Sequence, residues 1–146
     1  MERTYIKDIF KGPEAYANKS ITVCGWARTI RSSNAFGFIE LNDGSYHTNL
    51  QVVFEEAFLD NYKDIAKQNV GCALIVKGTL VLTPEAKQPF EIQAKTVTVE
   101  GPSTGDYPLQ PKKHSMEFLR SITHLRPRAN TFQAVFRVRS LAAMAI

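Results

Sequence analysis

The sequence predicts a mainly β protein: a small five-stranded barrel, then a linker, then the beginning of a helical segment. Three observations predict it. Five runs rich in β-branched and aromatic residues lie between Ile21 and Val99. The stretch between the third and fourth runs, Phe58–Gln68, has helical period instead. Beyond Glu100 the composition turns to Gly and Pro without periodicity, and after that linker the pattern is helical. A length of 146 residues suits one domain, or one domain and part of a second. An apolar share of 44%, with nine Phe and five Tyr, is enough for one real core.

The elements follow in order. Thr4 is placed to cap a short helix whose Ile6, Ile9 and Phe10 share one face, and Gly12-Pro13 ends it. A second short helical stretch, Glu14–Ala17, leads into the sheet. ITVCGWARTI (Ile21–Ile30) is the first strand, with Gly25 where it could bend sharply. FGFIEL (Phe36–Leu41) alternates cleanly and ends at Asn42-Asp43-Gly44-Ser45, a strong turn signal. NLQVVF (Asn49–Phe54) is the third strand. FLDNYKDIAKQ places Phe58, Tyr62 and Ile65 on one helical side. CALIVKGTLVL (Cys72–Leu82) and PFEIQAKTVTV (Pro89–Val99) are the fourth and fifth strands, joined by TPEAKQ.

Three strands, one helix and two strands is the order of an oligonucleotide-binding (OB) Greek-key barrel. An SH3-like barrel competes but lacks a proper helix between its third and fourth strands. We therefore expect the barrel over residues 1–100, a Gly/Pro linker over 101–114, and the truncated start of a further domain over 115–146. There is no internal repeat and no low-complexity tract.

Charge is mildly basic, 18 Lys and Arg against 14 Asp and Glu, which permits a polyanionic partner without requiring one. Its placement says more. Lys112, Lys113, Arg120, Arg126, Arg128, Arg137 and Arg139 crowd the final third, where Glu117 is the one acid after Asp106. Cys24 and Cys72 lie far apart in apolar runs with no thiol or His at ligand spacing, which indicates buried reduced thiols and no metal. MERTYIKDIF has no signal-peptide core, and no apolar run approaches the length of a membrane span. The expectation is a cytoplasmic, soluble chain.

Alternate residues of a small barrel point inward. Ile39 and Leu41, Leu50, Val52 and Phe54, and Phe90, Ile92 and Ala94 are the natural inward sets. Phe36, Phe38 and Glu40, then Gln51, then Glu91, Gln93 and Lys95 turn outward, with Arg28 or Arg31 at the end of the first strand. These side chains suit unstacked bases. An exposed Phe is a sequence-tolerant platform for a base. A Gln both donates and accepts, a carboxylate only accepts, and an Arg holds phosphate. Each also has an ordinary reading. Phe36 is better suited to the core or to a covering N-terminal helix, Phe38 is balanced between the two roles, and Gln51 and Glu91 would by default be solvated strand residues. His47 and Asp43 belong to a turn, and Trp26 to core or base-of-barrel packing. His114 and His124 have no triad or metal partners.

ITVCGWARTIRSSNAFGFIELNDGS, LQVVF and PFEIQA together resemble the anticodon-binding OB domain of the aspartyl, asparaginyl and lysyl synthetases of class II. NAFGFIELNDGS and FLRSITHLRPRANTFQAVFRVRS are similar to the asparaginyl-tRNA synthetase family in particular. The resemblance implies that Phe38 stacks on the central uridine of the anticodon, that Gln51 hydrogen-bonds it, and that Glu91 contacts the first anticodon base. Arg31, with Arg28, corresponds to the arginines that contact backbone and bases. The Thr83–Pro89 loop would border the third base. Residues 115–146 resemble the opening of the class II catalytic domain, an α+β fold, with VFRVRSLAAMAI as part of the motif 1 helix that lies in a homodimer interface. The parent enzyme would activate asparagine with ATP and Mg2+ and esterify it to tRNA(Asn). The 146 residues alone lack the ATP motifs, so neither catalysis nor a bound cofactor is expected of them. The HLRPR arginines would serve tRNA or the active-site rim, or act as salt-bridged struts between domains, the preferred reading. Two alternatives stand beside this one: a non-catalytic OB module for single-stranded nucleic acid, and an aspartyl-type synthetase.

Overall fold

Five strands close into a barrel in a computed structural model that describes residues 2–86 and 88–146. They are β1 (Ser20–Ser32), β2 (Phe36–Asn42), β3 (Leu50–Glu55), β4 (Ala73–Leu82) and β5 (Phe90–Gly101), in the spatial order β1-β2-β3-β5-β4. The thirteen-residue β1 makes closure possible. Its first half, Ser20–Trp26, pairs with β4, and its second half, Trp26–Ser32, pairs with β2. β3 and β5 meet in parallel, and every other pairing is antiparallel. This is the OB topology expected from the order of elements. The inward sets predicted for the second, third and fifth strands are all buried. Gly37 shares that inward side of β2. A Cβ there would run into the Phe54 ring and come within 2.8 Å of the Arg31 carbonyl, so its missing side chain is what lets Phe54 fill the barrel.

The N-terminal helix α1 (Ile6–Lys11) buries Ile6 and Ile9 in the same core. Phe10 stacks on Tyr46 at 4.6 Å and meets Phe90 edge-on at 4.8 Å. A single 3₁₀ turn, Pro13–Ala15, stands where a second helix was expected. Thr4 does not cap α1. Its backbone N–H donates to the Thr22 carbonyl, and Tyr5 takes the N-cap position without a side-chain bond. The free N–H groups of α1 are met from the β2–β3 turn instead. Asp43 Oδ2 accepts from Ile6 N–H and Ser45 Oγ from Lys7 N–H, each at 3.0 Å. A turn residue thus acts as a helix cap across 37 positions of sequence.

The helix between β3 and β4 is shorter than predicted: α2 is Tyr62–Ala66. Tyr62 and Ile65 are buried as expected, but Phe58 lies ahead of the helix and is 69% exposed, and Leu59 goes inward in its place. Trp26, expected in the core or in base-of-barrel packing, sits on the outer side of β1 and is 39% exposed. Met1 and Lys87 lie outside the described residues, so the Thr83–Pro89 loop is followed only in part.

The chain divides into two compact units, one running to Tyr107 and the other Pro108–Ile146. The second unit contains α3 (Met116–Ser121), a 3₁₀ turn at Arg126–Arg128, and α4 (Asn130–Ala145). Ser115 Oγ caps α3 by accepting from Phe118 N–H at 3.1 Å. The Arg126 guanidinium lies over the rings of Phe132 and Phe136, 5.2 and 5.7 Å from their centroids. This stacking, within one unit, covers Phe132, which is buried. Val135, Val138 and Leu141 of α4 are exposed.

Candidate nucleic-acid interface

The outer face of the barrel is assembled by strand register. Arg31 of β1 stands opposite Phe38 of β2, which stands opposite Val53 of β3. In the next row Thr29 faces Glu40, and Glu40 faces Gln51. The parallel β3–β5 pairing, Val52 with Ile92 and Val53 with Gln93, carries that row on to Glu91. Directly opposed side chains lie about 4.5–5.5 Å apart at Cβ and diagonal ones about 7–8 Å apart, so neighbouring rows form one surface.

A β-bulge decides which arginine joins it. The β1–β2 register slips between Ala27 and Thr29, leaving Arg28 as the extra residue. Ala27 is buried, and the slip puts Thr29 and Arg31 on the outer side with Phe38 and Glu40. Arg28 has no β2 partner in the ladder, is half-buried and is engaged with other groups. Of the five residues proposed from sequence, the fold therefore brings Arg31, Phe38, Gln51 and Glu91 onto one face and leaves Arg28 at its margin.

Phe36 and Phe38 are both open to solvent, 46% and 37% exposed, with rings edge-to-face at 5.6 Å. Phe36 is not covered by α1, contrary to the reading that sent it to the core. The helix spends its apolar residues on Tyr46, Phe90 and the barrel interior. With Arg31, Ser32 and Ser33, the two phenylalanines line an open depression of about 180 Å³. One wall is aromatic, and a guanidinium and two hydroxyls stand beside it.

Polar side chains order the second row. Gln51 Nε2 donates to Glu91 Oε2 at 2.8 Å, joining β3 to β5 on the outer face. Gln88 approaches from the β4–β5 loop and acts as a piece of strand. Its Oε1 accepts from Gln51 N–H at 3.2 Å, and its Nε2 reaches the Asn49 carbonyl at 3.5 Å. Asn49 Nδ2 donates to Glu40 Oε2 at 3.2 Å. Sequence reading missed Gln88, Asn49 and Glu40. Parity put Glu40 outside, but nothing local marks Gln88, whose bonds cross 37 and 39 positions.

A family model described as OB-fold nucleic acid binding domain matches residues 21–100. The chain belongs to this OB-fold family. All 146 residues of this OB protein are 60% identical to part of an asparagine–tRNA ligase of Acetivibrio thermocellus and 59% identical to part of one of Alkaliphilus oremlandii. It covers 32% and 31% of those proteins, about a third of the length of the curated relatives it matches. Among solved structures, asparaginyl-tRNA synthetase from Entamoeba histolytica aligns with 84% of the chain at 27% identity and a TM-score of 0.69, over 30% of its own length. Asparaginyl-tRNA synthetase from Pyrococcus horikoshii, complexed with asparaginyl-adenylate, aligns with 99% of the chain at a TM-score of 0.84, over 33% of its own length. At 21% identity that second likeness speaks for the fold. No helix of the described residues is long and apolar enough to cross a membrane.

Proposed function

We propose that this OB barrel recognises the anticodon loop of tRNA(Asn), as part of an asparagine–tRNA ligase. The observation that carries the proposal is the continuous outer face, on which Arg31, Phe38, Gln51 and Glu91 stand in adjoining rows with Gln51 already bonded to Glu91. Phe38 stacks the central base, Arg31 beside it neutralises backbone phosphate, Gln51 reads the Watson–Crick edge of that base, and Glu91 accepts from the first base. Arg28 contributes from the margin. The identity to asparagine–tRNA ligases along the whole chain supports asparagine as the amino acid.

Under this reading the segment from Ser115 onward opens a class II catalytic domain, the motif 1 region pairs two copies in a homodimer, and the enzyme works in the cytoplasm. It would form asparaginyl-adenylate from ATP with Mg2+ and pass the amino acid to tRNA. The described residues gather no group of three or more His, Cys, Asp or Glu that could hold a metal ion. On this reading ATP and Mg2+ are held by the catalytic domain.

The test is binding of the chain to stem-loops with anticodons GUU, GUC and GAU and to an unstructured oligomer, at two salt concentrations. Preference for GUU and GUC over GAU is expected, with log affinity falling at about 0.7 per phosphate contacted. Equal, salt-sensitive binding to all four would mean a general single-strand binder instead.

A further inference from the structure

A glutamine is an ambiguous reader. Rotating its amide by half a turn exchanges C=O and NH2, and with them the pattern it offers a base. Uracil presents a donor at N3 and an acceptor at O4, whereas cytosine presents an acceptor at N3 and a donor at N4. One orientation of the amide suits one pyrimidine, and the flipped orientation suits the other. Stacking on Phe38 does not separate them, because both bases have a π face.

The surroundings of Gln51 remove the ambiguity. A carboxylate can only accept, and Glu91 Oε2 lies 2.8 Å from Gln51 Nε2, so the NH2 end is held toward β5. A second carboxylate could compete, since Glu40 is the register partner of Gln51 on the other side. A directed chain of hydrogen bonds engages one of its oxygens. Gly44 N–H donates to Asn42 Oδ1 at 2.8 Å, which orients the Asn42 amide so that its Nδ2 faces Asn49 Oδ1 at 3.0 Å. Asn49 must then present its own Nδ2, which reaches Glu40 Oε2 at 3.2 Å. Asn42 is buried, and its Nδ2 also bonds the Tyr46 carbonyl, so the first link is fixed by backbone. Each amide in the series has its direction set by a partner that can only donate or only accept.

We infer that Glu91 is a positioning residue for the middle base as well as a contact for the first: by holding the Gln51 amide in one orientation, with one Glu40 oxygen engaged elsewhere, it makes Gln51 discriminate between the pyrimidines, in favour of a uracil whose N3–H meets the Gln51 carbonyl. The inference rests on the proposed anticodon role of this face. Its consequence is that the first and middle positions are not read independently.

The experiment removes the direct contact of Glu91 with the first base. Stem-loops with an abasic first anticodon position and either U or C in the middle are titrated against the chain. The unsubstituted chain is expected to favour U. In Glu91→Ala the U-to-C affinity ratio should fall by about threefold to tenfold, the range of one hydrogen bond. Glu91→Gln keeps the shape but can meet Gln51 with either end, so the ratio should fall there too. In a Gln51→Ala background, Glu91→Ala should leave the ratio unchanged, and urea melts establish that each variant is folded. A ratio unaltered by both Glu91 substitutions, or an equal fall without Gln51, would overturn the inference while leaving the anticodon reading standing. If the unsubstituted chain also fails to distinguish complete GUU from GAU loops, the anticodon reading itself falls and the inference with it.

Discussion

Phe38 shows what a single residue does on a strand whose two sides differ in purpose. Its neighbours Gly37 and Ile39 face the core, and the missing side chain of Gly37 makes room for Phe54. Phe38 itself spends part of its ring on Phe36 and leaves the rest to solvent. A partly exposed ring costs the fold some unburied apolar surface and is available to a base. Phe38→Ala should therefore weaken stem-loop binding by about 1–3 kcal/mol. The urea unfolding midpoint should change little, because few core contacts are lost. Unchanged affinity, measured by titration, would remove Phe38 from the interface. Outward parity for Phe38, Gln51 and Glu91 was legible in the alternation of their strands. The exposure of Phe36 was not, because it depended on where α1 would lie.

At the scale of elements, the β2–β3 turn and α1 are one assembly. A six-residue helix is too short to be stable alone, and its first N–H groups need acceptors from elsewhere. Asp43 and Ser45 supply them, and Asp43 Oδ1 also takes the Ser45 hydroxyl at 2.6 Å. Asp43→Ala should destabilise the chain by about 0.5–2 kcal/mol, the range for a lost cap. The denaturation midpoint measures this, and a wild-type midpoint would show that water replaces the carboxylate at no cost. Asn-Asp-Gly-Ser reads as a turn from sequence, correctly, with Gly44 at φ +80°. That the turn also caps a helix is not readable there, since a cap ordinarily lies within a few residues of its helix. The β1 bulge is a second such case. An uninterrupted alternation cannot place both Ala27 and Ile30 inward, and the register slip resolves it by turning Arg31 outward.

For the whole molecule, the distribution of charge and burial matters more than their totals. Seven of the 18 basic residues and one of the 14 acidic ones lie in Pro108–Ile146, so the barrel unit carries 11 and 13 and is itself slightly acidic. The RNA affinity proposed for the barrel face must then come from placed side chains more than from bulk charge. Burial also acts on the buried Cys72, whose thiol is pushed up from 9.0 to about 11 because the core disfavours a thiolate. Folded chains keep this proton where unfolded chains have lost it. The contribution to stability is complete below about pH 9 and is lost as pH rises toward 11. Urea midpoints at rising pH should fall across that window, and more steeply than in Cys72→Ala, in which other alkaline titrations remain. Equal slopes in the two chains would contradict the burial effect.

The sequence by itself determined the barrel, its strand order and which residues of β2, β3 and β5 face inward. Alternation and element order are local patterns, and a strand slipped by one residue would expose its whole core face. The family's motifs likewise pointed to Arg31, Phe38, Gln51 and Glu91 by position. Tertiary structure decided the rest: that these four share a face, that Gln51 is bonded to Glu91, and that Gln88, Asn49 and Glu40 brace the row. Those contacts join residues up to 40 positions apart through strand register and amide direction, which exist only once the sheet has closed.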